Sequence, residues 1–126
     1  MELLLDTQAF LWWQTSSGRL SVAARAAIAE PANVVFVSVA SVWEIAIKRR
    51  LGKVKFTASI ASGIVINGFA DLPILAADAE AAGELDWEHN DPFDRLIVAQ
   101  ALNRRLTLVT ADAEIRRYGA VAQLAA

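Results

Sequence analysis

The chain has 126 residues, 56% of them hydrophobic, a mean hydropathy of +0.37 and a formal net charge of −2. That length suits one domain over residues 1–126, and no apolar run approaches the roughly 18 residues that a membrane span needs. With no cysteine and a single histidine, His89, disulfides and thiolate metal sites are excluded and a histidine-built zinc site lacks ligands.

The N-terminal MELLLDTQ carries Glu2 and Asp6 and no basic n-region, so it does not read as a secretory signal and a cytoplasmic protein is expected. Its ELLL (2–5) is a continuous apolar run, as in a strand covered on both faces. Helical patterns follow over 8–14 and 21–30, separated by TSSG and ended before Pro31. VVFVS (34–38) is a stronger strand, rich in β-branched and aromatic residues. A helix over 39–51 ends at Gly52, and an apolar helical segment covers 57–69. LPIL (72–75) predicts a weak strand, 76–84 a helix, 92–105 a helix, LTLVT (106–110) a strand and 112–118 a helix. AVAQL (120–124) fits a short edge strand. Strands alternating with helices predict an α/β fold: a three-layer α/β/α sandwich around a parallel sheet of four or five strands.

In open parallel sheets, ligands collect beyond the carboxyl ends of the strands. Four acids fall there: Asp6 after the first strand, Glu44 in the helix after the second, Asp94 in the first turn of the helix before LTLVT, and Asp112 just after that strand. Each also has a purely structural use. Asp6 and Asp112 can cap helices, Ser41 and Glu44 have capping-box spacing, and Asp94 favours the helix dipole. Together they carry a different meaning. Unit charges brought within 4 Å repel by about 4 kcal/mol per pair at an effective dielectric near 20, whereas Ser, Thr or Asn cap without that repulsion. Converging carboxylates make physical sense around a hard cation, Mg²⁺ with Mn²⁺ as a substitute. In NDPFDRLIVAQAL (90–102), Asp91 precedes Pro92 and reads as the N-cap, with Arg95 at i+4 to pair with it. Asp94 is then the metal ligand.

Other residues have local readings. KRRLGKVK holds Lys48, Arg49, Arg50, Lys53 and Lys55, which suits either a nucleic-acid patch or a helix end favoured by the dipole. Trp12 and Trp13 point about 100° apart on a helix, one inward and one toward a partner or a base. Trp43 is expected in the core and Trp87 as a loop anchor, and a metal-dependent hydrolase needs no base from His89.

The stretches LLLDTQAFLWW, VSVASVWEIAIKRRLGK, HNDPFDRLIVAQA and LTLVTADAEIRRYG, in this order, resemble the PIN-domain ribonucleases, most of all VapC-type toxins of bacterial toxin–antitoxin pairs. The resemblance runs from residue 2 to about 119. It implies a PIN fold and a metal-dependent endoribonuclease that hydrolyses RNA phosphodiesters with a metal-activated water. Its acidic quartet would be Asp6, Glu44, Asp94 and Asp112, with Thr110 as a supporting hydroxyl. It also implies a homodimer and an antitoxin whose C-terminal segment lies in an apolar groove and blocks the acidic site.

Rival readings are a PIN-fold nuclease acting on DNA or flap structures and a non-catalytic PIN-like module that binds RNA or protein. A phosphoacceptor receiver domain should have paired acids after the first strand and a lysine after the last. Here Thr7 follows Asp6, and no lysine lies beyond Lys55.

Overall fold

The computed structural model describes residues 1–126. Five strands, β1 (Glu2–Leu5), β2 (Val34–Ser38), β3 (Ala70–Leu72), β4 (Thr107–Thr110) and β5 (Gln123–Ala125), form one sheet in the order β3-β2-β1-β4-β5. All four pairings are parallel; Leu4 lies opposite Phe36 on one side and Leu108 on the other. Seven helices connect them: α1 (Thr7–Gln14), α2 (Val22–Ala29), α3 (Val39–Arg50), α4 (Ile60–Ile66), α5 (Ala76–Glu84), α6 (Pro92–Arg104) and α7 (Ala113–Arg117). This is the predicted α/β architecture, with five strands. No helix is long and apolar enough to cross a membrane.

The continuous apolar strands are explained by burial on both faces. Leu3, Leu5, Val35, Val37 and Val109 pack with Ala9, Phe10, Ala24, Ile28 and Ile64 on one side. The alternate residues Leu4 and Leu108 pack with Ile97, Val98 and Ala101 of α6 on the other. Residues Ile97 to Ala101 are buried without a break, so the middle of α6 is enclosed on all sides and anchors the first turn before it. Gln100 survives there because Ser38 Oγ donates to its Oε1 while its Nε2 donates to the Pro73 carbonyl at 3.1 Å.

Several local expectations are corrected. The third strand lies at 70–72 rather than 72–75, since Pro73 has no N–H for the ladder and Phe36 pairs with Ala70. The last strand is 123–125 rather than 120–124. Helix α4 covers only 60–66, because Ser59 caps it by accepting from Ser62 N and Gly68 leaves it at φ +71°. Ser41 and Glu44 form no capping box: Ser38 is the N-cap of α3, and both residues lie inside the helix, buried. Trp43 is 59% exposed instead of in the core, because the inner face of α3 is occupied by Ala40, Ser41, Glu44 and Ile45. Its ring meets Phe93 edge-on at 5.2 Å. Trp12 and Trp13 are both partly buried; Trp13 Nε1 donates to Asn67 Oδ1 at 2.9 Å. Trp87 is a loop anchor, as expected, stacked on Tyr118 at 4.8 Å.

Candidate active site

The sheet order places β1 beside β4, yet β1 leads to a strand on one side of it and β4 to a strand on the other. The connections leaving their carboxyl ends therefore diverge and open a crevice. Asp6 and Asp112 stand at those two ends. Asp6 is the N-cap of α1 and accepts from Ala9 N at 2.7 Å. Asp112 is the N-cap of α7 and accepts from Glu114 N at 2.9 Å. Thr110 stands between them: its hydroxyl accepts from Asp112 N at 3.1 Å and acts on the Asp6 carboxyl to lower its pKa. Capping and convergence are thus compatible, since a cap uses one oxygen and leaves the other toward the crevice.

Glu44 enters from α3, and Asp94 enters from the first turn of α6. Asp91 caps α6, accepting from Asp94 N at 2.9 Å. Arg95 does not pair with Asp91 as expected. Its guanidinium turns to the end of α5 and the loop after it, and donates to the carbonyls of Ala82, Leu85, Trp87 and His89 at 2.7–2.9 Å. Four carbonyls fixed in one arc suit a planar five-donor group better than a single carboxylate does.

Asp6, Glu44, Asp91, Asp94 and Asp112 line one cavity of about 310 Å³, together with Lys48 and Trp12. All four predicted acids therefore reach one place, but not as equals. The tightest set is Asp94, Asp112 and His89, whose potential ligand atoms lie within 4.8 Å of one another. Asp6 lies deeper, 5% exposed, close enough for both Asp94 and Asp112 to act on it electrostatically. Glu44 is already partnered: Thr7 Oγ1 donates to its Oε1 at 2.6 Å and Lys48 Nζ meets its Oε2 at 2.8 Å. The buried Ser41 hydroxyl stands 2.9 Å from Thr7 Oγ1. The basic run divides accordingly. Lys48 joins the cavity, its pKa raised chiefly by the Glu44 carboxylate, while Arg49 donates to the Phe56 and Ala58 carbonyls.

The electrostatics are those of a crowded, poorly hydrated acid cluster. Burial pushes the Asp6 carboxyl up to about 6, with Asp94 and Asp112 adding to the rise against the Thr110 and Ala9 hydrogen bonds. Burial likewise raises Asp94 to about 6, with Asp91 and Asp112 contributing, opposed by the hydrogen bond from His89. Near neutral pH both carboxylates ionise at a cost that a cation would relieve. The donors are carboxylate oxygens with one imidazole at the margin, a set that fits a hard divalent ion.

His89 is the residue that sequence reasoning underweighted. Its Nε2 lies 2.7 Å from Asp94 Oδ2. The available signal was its position two residues before an N-cap, where a short loop folds back onto the first helical turn.

A five-stranded parallel sheet with acids gathered at the switch point between β1 and β4 is the arrangement of PIN domains, and the chain belongs to the PIN-domain family, which it matches over residues 3–121. Within that family the chain is VapC-like. It is 31% identical over 121 residues to ribonuclease VapC22 of Mycobacterium tuberculosis (strain ATCC 25618 / H37Rv), covering 92% of this chain and 91% of the relative. Its fold is similar to that in a structure of VapBC2 from Rickettsia felis bound to a promoter DNA fragment, with TM-score 0.71, 18% identity and 98% of both chains covered. It is also similar to M. tuberculosis VapC20, described as a sarcin–ricin loop cleaving toxin, with TM-score 0.66, 16% identity and 93% and 95% coverage.

Proposed function

We propose that residues 1–126 form a single PIN domain acting as a Mg²⁺-dependent endoribonuclease toxin of the cytoplasm, inhibited by a cognate antitoxin and working as a homodimer. The observation that carries this reading is the convergence of Asp6, Glu44, Asp94 and Asp112, from four separate elements, on one cavity. Two of these carboxyls are raised to about 6. A fold stabilised by burial alone has no use for such a cluster. The similarity to a ribonuclease over 92% of the chain supports the substrate class, and likeness to a VapBC assembly supports an antitoxin partner.

Asp6, Asp94 and Asp112 would hold Mg²⁺, with Mn²⁺ as a substitute, and Glu44 would join them by releasing Lys48. Once bound, the ion supplies charge neutralisation at the phosphate and a lowered pKa for water at that place. The chain supplies position. Asp6 and Asp112 are fixed by their capping bonds, Asp94 by the anchored first turn of α6, and Thr110 sets the spacing between two of them. Lys48, freed from Glu44, can meet a phosphate oxygen. The exposed Trp43 with Phe93 and Val39 offers an apolar face for a second copy. The groove of Leu11, Trp12, Val54 and Phe56 beside the cavity suits an antitoxin segment.

Incubating the purified chain with total RNA tests the reading. Cleavage should require Mg²⁺ or Mn²⁺, stop with EDTA and vanish in Asp94→Asn. Cleavage of DNA alone, or of RNA equally well in EDTA, would refute it.

A further inference from the structure

The loop between α5 and α6, LDWEHN (85–90), is built by alternation. Leu85, Trp87 and His89 are partly buried, while Asp86, Glu88 and Asn90 are exposed. Arg95 grips the carbonyls of those same three inward residues, from within α6 itself. The His89 ring packs against Trp87 at 5.0 Å, and Trp87 stacks on Tyr118 with the planes 28° apart. Tyr118 closes α7, the helix that Asp112 opens. The imidazole is therefore fixed from behind by aromatic packing and from below by the strapped backbone. Its one polar contact is with Asp94 Oδ2, which leaves Oδ1 without a protein partner.

We infer that His89 is a positioning residue: its Nε2–H holds Asp94 Oδ2, fixes the carboxylate rotamer and presents Oδ1 to the acidic cavity. Neutral and protonated imidazole can both donate from Nε2, so the role does not depend on a change of charge. An Asp carboxylate at a helix start has several χ1 and χ2 settings, and the like charges of Asp91 and Asp112 act on it here. A donor held by the Trp87 packing and by the Arg95-held backbone removes that freedom before a cation arrives. The loop of residues 85–89 thus belongs to the site, although only its last side chain reaches it.

This inference rests on Asp94 serving as a cation ligand, and the two can fail separately. Mn²⁺ alone, without RNA, is titrated into the purified full chain, by calorimetry or by the loss of the free-ion paramagnetic resonance signal. His89→Ala should weaken Mn²⁺ binding by about 10-fold, as loss of a group orienting a ligand typically does. His89→Gln, whose amide N–H₂ reaches nearly the same point, should recover binding to within about 3-fold of wild type. In an Asp94→Asn background, His89→Ala should have no further effect. RNA cleavage by His89→Ala should lose kcat with KM nearly unchanged.

Wild-type Mn²⁺ affinity in His89→Ala would overturn the role of His89 while leaving the metal site intact. His89→Gln as weak as His89→Ala would also overturn it, since the imidazole would then act as something other than a hydrogen-bond donor. Wild type failing to bind Mn²⁺ would overturn the metal site and this inference together.

Discussion

Asp6→Asn should stabilise the metal-free protein. Asp6 is 5% exposed and its carboxyl is raised from 3.8 to about 6. A group that holds its proton more tightly when folded than when unfolded removes stability as pH rises. The loss begins above 3.8 and is complete above about 6. A difference of about 2 pKa units corresponds to about 3 kcal/mol. Asparagine keeps the acceptor for Ala9 N and caps as well as aspartate, so the substitution removes the charge and little else. In EDTA at about pH 7.5, urea denaturation should show Asp6→Asn more stable by about 2–3 kcal/mol, or about 10 °C in Tm for a chain of this size. Near pH 4.5 the gain should shrink to about 1 kcal/mol, because the wild-type group is then protonated when folded. Saturating Mg²⁺ should reverse the order by stabilising wild type alone. A variant less stable than wild type in EDTA, or a gain independent of pH, would refute the claim that burial and neighbouring acids strain this carboxylate.

Other substitutions separate the roles of neighbouring residues. Asp91→Ala should lower stability by about 1 kcal/mol through the lost cap and leave RNA cleavage detectable, whereas Asp94→Asn should abolish cleavage with stability kept; gel assays and thermal melts together check the split. Asp78 is 1% exposed and paired with Arg104 at 2.7 Å, and its pKa is lowered to about 2, chiefly by the Arg104 hydrogen bond. Asp78→Ala should therefore cost about 3 kcal/mol at neutral pH. The wild-type advantage is full above 3.8 and fades as pH falls through about 2, which denaturation at several acid pH values would trace. Arg95→Ala should cost about 2–3 kcal/mol and loosen the 85–89 loop, seen as faster amide exchange there. Arg95→Lys should recover little, since one ammonium cannot span four carbonyls.

The acids were legible in the sequence because strand ends are. ELLL, VVFVS and LTLVT are buried on both faces and stop at polar residues, so Asp6 and Asp112 could be placed at carboxyl ends without coordinates. Asp94 was legible because Pro92 marks the first turn of a helix whose later residues are apolar all round. What failed depended on tertiary choice. Trp43 looks like core, but α3 buries the face carrying Ser41 and Glu44 instead, because Thr7 and Lys48 satisfy them there. Arg95 stands at the correct spacing for Asp91, and four carbonyls, one from α5 and three from the loop after it, outbid that single partner. The contact from His89 to Asp94 required knowing that the loop turns back, which no periodicity encodes. Short edge strands shifted by two or three residues since β3 and β5 each have one neighbour to set their register.

The central position of β1 has a consequence for the order of assembly. Leu3 pairs with Val35 early in the chain, but also with Thr107, about a hundred positions later. A nascent polypeptide therefore carries one flank of its first strand unmatched until β4 has been made. Such long-range closure is slow and leaves an adhesive edge open to other chains. It also means that a product ended before β4 lacks both the second neighbour of β1 and Asp112, so the acidic cavity cannot assemble.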